Sequence, residues 1–327
     1  MDLTTRYLGF TLKNPIIVAS SGLTSTVEGV AGCEKNGAAA VALKSLFEEQ
    51  ILFNYQEKLK EVRLDATYPE AEEYISRHTK EKAVDEYLTL IRDCKKAVGI
   101  PVFASINCIS ASEWTNFARE IELAGADGLE LNLSILPSDT VRTSAQIEDT
   151  YIEILNEVVR KTSLPVTIKI SSHFSSVAKT ALRFSFTGVK GMVLFNRFFT
   201  PDIDIEEFRI VPGRLFSTPA DITPTVRWIS ILSERVFCDI AASTGIHEGE
   251  GLVKALLAGA KAAEICSVLY EKGLGEIAVL LKFLEDFLTR HHFSSVSEII
   301  GKMSMRQTEN PAALERVQFM KQFSGIE

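Results

Sequence analysis

Short apolar runs recur along the chain, and each closes on a small or polar residue. In order, NPIIVA precedes Ser20 and Ser21, AAAVAL precedes Lys44, PVFASI precedes Asn107, DGLEL precedes Asn132, PVTI precedes Lys169, GMVLF precedes Asn196, FCDIAA precedes Ser243 and Thr244, and AAEIC precedes Ser267. Hydrophobicity that is continuous rather than alternating predicts parallel strands covered on both faces. The runs come in two forms. Those at 14–20, 100–107 and 164–171 carry a proline near their start, which suits a strand entrance, where no ladder donor is lost. Those following Gly37, Gly125 and Gly259 begin after a glycine that suits the left-handed stop of a preceding helix. Amphipathic helices are expected between them at 81–98, 110–124, 144–162, 174–187, 248–258 and 274–292. Strand and helix repeated eight times predict an α/β chain folded as a single (β/α)8 TIM barrel over residues 1–327. The strand-end residues then converge on the C-terminal mouth, where such barrels place their sites.

Two segments interrupt the repeat as insertions at C-terminal strand ends. Residues 45–80 are charged and aromatic, with Phe47, Phe53, Tyr55, Tyr68 and Tyr74. Residues 197–222 carry Pro201, Pro212 and Pro219 around the acidic stretch DIDIEEF. Insertions at this end of a barrel form lids or substrate walls, surface decoration or an oligomer contact being the alternative.

Composition narrows the functional classes. A chain of 327 residues with 46% hydrophobic content can bury a full core, and its net charge of −8 argues against nucleic acid or an anionic membrane surface as partner. The N-terminus lacks a signal-peptide pattern and no apolar run is long enough to span a bilayer, so a cytoplasmic location is expected. Cys33, Cys94, Cys108, Cys238 and Cys266 show no metal-ligand spacing, so no metal site or disulfide framework is expected.

Lys44 and Lys169 end runs that are otherwise apolar, where an unpaired ammonium is costly to desolvate. Either a ligand or a carboxylate such as Glu130 is expected opposite them. Asn107, Asn132 and Asn196 present donors and acceptors that suit the lactam edge of a flavin or a pyrimidine. The turn at Ser243, Thr244 and Gly245, together with Ser267 after the last strand, matches the usual phosphate cup of a barrel. A phosphate-binding barrel without flavin is an alternative that uses the same cup. Arg197 is a candidate clamp for an anionic substrate, with an ion pair to Asp202 or Asp204 as the alternative.

The ordered motifs NPIIVASSG, ALKS, PVFASIN, ELNLS, IKIS, FN, STGIHEG and GAKAAEICS resemble the FMN-dependent dihydroorotate dehydrogenase family over nearly the whole chain. The resemblance implies that FMN contacts Ala19, Ser20, Lys44, Asn107, Asn132 and Lys169 along its isoalloxazine and ribityl parts, and Thr244, Gly245, Cys266 and Ser267 around its phosphate. It also implies that Lys44, Asn132 and Asn196 reach a dihydroorotate- or orotate-like substrate in pyrimidine (UMP) biosynthesis.

The chain departs from the family at the position of the Cys or Ser general base. Asn132-Leu133-Ser134 continues into Ile135-Leu136-Pro137, and isoleucine cannot take a proton. Ser134, Cys108 and His173 are the remaining proton acceptors near the mouth. The family's substrate loop, Asn-x-Met-Gly-Leu-Pro-Asn, is absent from 45–80, and its phosphate diglycine is reduced to Thr244-Gly245. A flavoprotein oxidoreductase acting on a CH–CH bond is the leading expectation. A diverged FMN barrel with another substrate, or one without turnover, stands beside it. A homodimer and an electron-transfer partner are both compatible with the chain, and any iron–sulfur centre would belong to that partner.

Overall fold

The computed structural model describes residues 1–47, 69–107, 111–138, 140–198 and 200–316. A short hairpin, β1 (Thr5–Tyr7) and β2 (Phe10–Leu12), precedes the first barrel strand. Eight parallel strands then close on themselves: β3 (Ile16–Val18), β4 (Ala40–Ala42), β6 (Val102–Asn107), β7 (Gly128–Asn132), β8 (Val166–Ile170), β9 (Gly191–Leu194), β12 (Asp239–Ser243) and β13 (Ala262–Ile265). The pairing of β4 with β6 completes the ring, and β5 (Leu46–Phe47) prolongs β4's path by pairing further up β6. The expected (β/α)8 barrel is therefore present.

Helices α1 (Val27–Lys35), α2 (Pro69–Ala97), α3 (Ala111–Leu123), α4 (Ser144–Lys161), α5 (Val177–Ser185), α6 (Ile222–Leu232) and α7 (Gly249–Ala258) alternate with the strands. After β13 come the short α8 (Ser267–Lys272), α9 (Glu276–Arg290) and α10 (Ala312–Glu315). Helix α2 begins at Pro69 rather than near 81 as the periodicity predicts. Its first turns, PEAEEYISRHTK, hold good helix formers behind a proline suited to the first helical position, but few apolar residues to produce a stripe. Phe53, Tyr55 and Tyr68 of the expected first insertion lie outside the described residues, and only backbone is described for Phe47 and Tyr74. The second insertion folds into an antiparallel hairpin, β10 (Pro201–Asp204) with β11 (Arg209–Pro212), followed by a loop to α6. Among the described residues no helix is long and apolar enough to cross a membrane.

Each strand serves two cores because its residues alternate in direction. Val102, Ala104 and Ile106, Leu129 and Leu131, and Val166, Ile168 and Ile170 belong to the shell between strands and helices. Ile17, Ala40, Ala42, Phe103, Val193, Ala241 and Ala262 fill the barrel's lower interior, where the hairpin inserts Tyr7, Leu8 and Leu12 as a plug. Leu8 is fixed there by its backbone N–H, which donates to Asp239 Oδ2 at 2.9 Å. Above this packed layer the inward residues turn polar, and the site begins.

Candidate active site

Strand register brings the functional side chains together. Ser105 lies beside Glu130, Asn107 beside Asn132, Asn132 beside Lys169, and Ser243 beside Glu264 on neighbouring strands. Glu130, Lys169 and Glu264 occupy the middle of the barrel at 1%, 5% and 3% exposure. Lys169 Nζ donates to Glu264 Oε2 at 2.7 Å and lies 3.7 Å from Glu130 Oε1. Burial pushes the Glu130 carboxyl up to about 8, Glu264's negative charge adds to the rise, and Lys169 opposes it. Burial alone would lower the Lys169 pKa, but the two carboxylates outweigh it and raise the value, so the ammonium stays charged.

Of the two alternatives for the strand-end lysines, a ligand or a carboxylate, the carboxylate one holds for Lys169. Lys169 has its counter-charges within the barrel wall, from Glu264 as well as the anticipated Glu130. Lys44 is exposed and pays no such desolvation cost.

Hydroxyls link the buried carboxylate to the mouth. Ser105 Oγ donates to Glu130 Oε1 at 3.4 Å, Ser45 Oγ lies 2.7 Å from Ser105 Oγ, and Ser20 Oγ lies 2.9 Å from Ser45 Oγ. Tyr87 fixes Ser105 from α2 by accepting its N–H at 2.8 Å and donating to its carbonyl at 2.9 Å.

The titration of Glu130 has a consequence for stability. Its carboxyl holds a proton more tightly folded than unfolded, so the stability it contributes is full below the unfolded carboxyl pKa near 4.3 and is lost as pH rises through about 8. Denaturant unfolding should show stability falling over that window by on the order of a few kcal/mol, and Glu130→Gln should remove that part of the slope. An unchanged slope in the variant would assign it to other groups.

Two adjoining spaces open above the carboxylates. One, about 470 Å3, is lined by Ser21, Lys44, Ser45, Asn107, Asn132 and Ser134. The other, about 540 Å3, runs past Ala19, Ser243, Thr244, Gly245, Glu264, Cys266 and Ser267 to Ser217 and Tyr270. Ser20, Lys169, Asn196, Arg197 and Phe198 line both, so the two form one cleft. All the sequence-predicted site residues lie along it. His173 is set beside the cleft, its ring stacked on Phe198 with centroids 4.9 Å apart. Cys108 lies outside the described residues.

At the mouth, Asn196 Nδ2 donates to Asn132 Oδ1 at 2.9 Å and to Ser134 Oγ at 3.1 Å. Asn132 therefore offers its amide N–H group to the cleft. The partners of Ser134 are amides, and neither is a base that would activate its hydroxyl. Ile135 packs partly buried against the outer core, and its backbone N–H donates to Tyr151 at 2.8 Å. Arg197 pairs with neither Asp202 nor Asp204. Its guanidinium donates to the carbonyls of Arg214 and Leu215, tying the loop after β11 across the cleft, while Asp204 faces Arg209 at 3.7 Å.

At the inner end, Thr244 and Gly245 turn through the left-handed region, with φ of 74° and 82°. A Cβ on Gly245 would stand 2.1 Å from the backbone nitrogen of Ile222. Gly245→Ala should therefore destabilise the protein by at least about 2 kcal/mol, since the backbone conformation alone costs roughly 1–2 kcal/mol and the clash adds to it. An unchanged melting temperature in the variant would contradict this packing. Burial raises the Cys266 thiol pKa, making it a poor thiolate.

Sequence reasoning passed over Glu264, Ser45, Ser105, Ser217 and His247. A glutamate within AAEIC and serines inside apolar strands were the available signals, since a polar residue at an inward position needs a partner.

A closed parallel barrel with a polar cleft at its C-terminal mouth defines the class of small-molecule-binding (β/α)8 proteins. Within that class the chain belongs to the dihydroorotate dehydrogenase family, whose profile it matches over residues 2–288. It is similar to a protein of Thermoplasma acidophilum described as dihydroorotate dehydrogenase B (NAD(+)), catalytic subunit, at 26% identity over 311 residues, covering 92% of this chain and 98% of the relative. Proteins of the same description from Pyrococcus furiosus and Methanocaldococcus jannaschii are 25% and 24% identical, covering 92% and 91% of this chain and 98% and 97% of theirs.

Proposed function

We propose that the chain is an FMN-dependent oxidoreductase of the dihydroorotate dehydrogenase type, acting on a CH–CH bond of a small cyclic substrate. The observation that carries this reading is the convergence of Lys44, Asn107, Asn132, Lys169 and Asn196 on one cleft. The residues present fit the cofactor. The larger space has the size of a small-molecule site, small side chains line its walls at Ala19, Ser20, Gly245 and Ser267, and the Lys169 ammonium stands at its floor. Ala19, Ser20, Asn107, Asn132 and Lys169 would hold the ring system and sugar alcohol, and Thr244, Gly245, Cys266 and Ser267 the phosphate. The bound flavin supplies a hydride acceptor.

The protein's own groups bind and orient. Lys44 brings a positive charge to an anionic substrate, while Asn132 and Asn196, locked to each other, present their amides in a fixed direction. Arg197 and Phe198 close the far side of the cleft. Proton removal is where the chain departs from the family, because the motif puts Ile135 at the general-base position, and that side chain packs partly buried against the outer core. Dihydroorotate is therefore a slow substrate or a close analogue of the true one. The relatives are described as catalytic subunits, which supports a partner subunit that takes the electrons from this one.

Anaerobic mixing of the FMN-loaded protein with dihydroorotate tests the reading. Slow bleaching of the flavin with formation of orotate is expected. A flavin that stays oxidised on prolonged incubation would remove dihydroorotate as substrate and leave the barrel with another one, a reading that Ile135 itself favours.

A further inference from the structure

The inner end of the cleft carries a hydrogen-bonded relay. Ser217, on the loop after β11, lines the cavity. Its hydroxyl lies 2.9 Å from Nε2 of His247, and Nδ1 of the same ring lies 3.2 Å from Oε2 of Glu271 on α8. Ser217 and His247 are nearly removed from solvent, whereas the Glu271 side chain is 42% exposed. The backbone fixes the hydroxyl further. Gly245 N–H reaches Ser217 Oγ at 3.4 Å, and Ser217 N–H donates to Ser267 Oγ at 3.1 Å. Lys272 Nζ binds the His247 carbonyl at 3.3 Å, and Arg197 and Arg214 line the same cavity.

We infer that the Ser217 hydroxyl binds the phosphate of the flavin nucleotide, and that His247 and Glu271 are positioning residues that turn this hydroxyl into a donor. The inference rests on the flavin reading above. With Glu271 accepting from Nδ1, the ring has two options at Nε2. Unprotonated, Nε2 accepts the Ser217 hydrogen, and the hydroxyl points away from the cleft. Protonated at both nitrogens, the ring donates to Ser217 Oγ, and the hydroxyl hydrogen swings towards the cavity. A phosphate group, close to a dianion at neutral pH, selects the second arrangement because it gains a hydrogen bond with a positive charge directly behind it. An uncharged flavin gains neither effect, so the relay discriminates FMN from riboflavin.

The same order of atoms would serve a nucleophilic serine. The surroundings favour the anion. The Gly245 N–H that could stabilise an oxyanion is engaged by Ser217 Oγ itself, and the Lys272 ammonium stands at the His247 carbonyl.

Equilibrium titrations with FMN and with riboflavin, on the wild type and on Ser217→Ala, His247→Ala and Glu271→Gln, test the relay. Ser217→Ala and His247→Ala should each weaken FMN about tenfold or more, Glu271→Gln should weaken it less, and riboflavin affinity should stay at the wild-type value. Equal losses for both flavins would reduce the relay to a structural element and overturn the inference, as would unchanged FMN affinity. If the wild type binds neither flavin, the cofactor reading fails separately. Inorganic phosphate then decides the relay: it should raise the melting temperature of the wild type and not of Ser217→Ala, and no shift in the wild type would overturn it. Stoichiometric labelling of Ser217 by a fluorophosphonate would also overturn it, by making Ser217 a nucleophile.

Discussion

Replacing Lys169 with methionine is expected to lower the unfolding free energy by about 3–5 kcal/mol, the usual cost of leaving buried charges without their partner. Glu264 depends on this ammonium at neutral pH, and Glu130 joins it as pH rises through about 8. Glu264 would lose a 2.7 Å hydrogen bond and Glu130 the only cation near it among the described residues. Protonation can relieve the remaining charges, so the loss should grow as pH rises and shrink in acid. Lys169→Met combined with Glu264→Gln should recover much of the stability, because one buried carboxylate can stay protonated beside an uncharged neighbour. A loss below about 1 kcal/mol that does not change with pH would show that the carboxylates are neutral in the native protein. Variants at Lys169 that remain folded should also bind FMN more weakly, by about 1.5–3 kcal/mol if the ammonium donates to the flavin.

The second large effect concerns proton transfer. Ile135→Cys should raise the rate of anaerobic flavin reduction by dihydroorotate, by up to about 10²–10⁴-fold, the usual worth of a positioned general base. The residue lies immediately after Ser134, whose hydroxyl lines the cleft, and its backbone is held by Tyr151. Ile135 packs partly buried against the outer core, so the shorter side chain also removes some contact there. No gain in a folded, FMN-loaded variant would mean that the substrate itself is not recognised. A parent already as fast as the variant would move the proton to another group, such as His173, which is stacked on Phe198 beside the cleft.

Most of the barrel was legible because strand ends and helix stops are written in local chemistry. Proline opens β6 and β8, and glycine in the left-handed conformation ends the helices before β4, β7 and β13. The strand-end positions of Lys44, Asn107, Asn132, Lys169 and Asn196 followed from the same pattern, and register carried them to one cleft. What lay inside the barrel was less legible. Inward and outward residues are nearly all small or apolar, so alternation is hidden, and the partnership of Lys169 with Glu264 joins strands 95 residues apart in sequence. The plug was missed for a related reason. Strands of three residues, Thr5–Tyr7 and Phe10–Leu12, are too short to show a period, and Tyr7 finds its place only once the barrel exists to receive it. The alternative for Arg197, an ion pair with Asp202 or Asp204, fails because the hairpin's antiparallel register gives Asp204 to Arg209 and leaves the guanidinium to backbone carbonyls.

The most direct test of the account is an equilibrium titration of the purified wild-type protein with limiting FMN, followed by the flavin's fluorescence. The cleft built from Ala19, Ser20, Lys169, Gly245 and Ser267 predicts saturable binding of one FMN per chain. A flavin signal that stays at its free value throughout the titration, in protein shown to be folded, would contradict it.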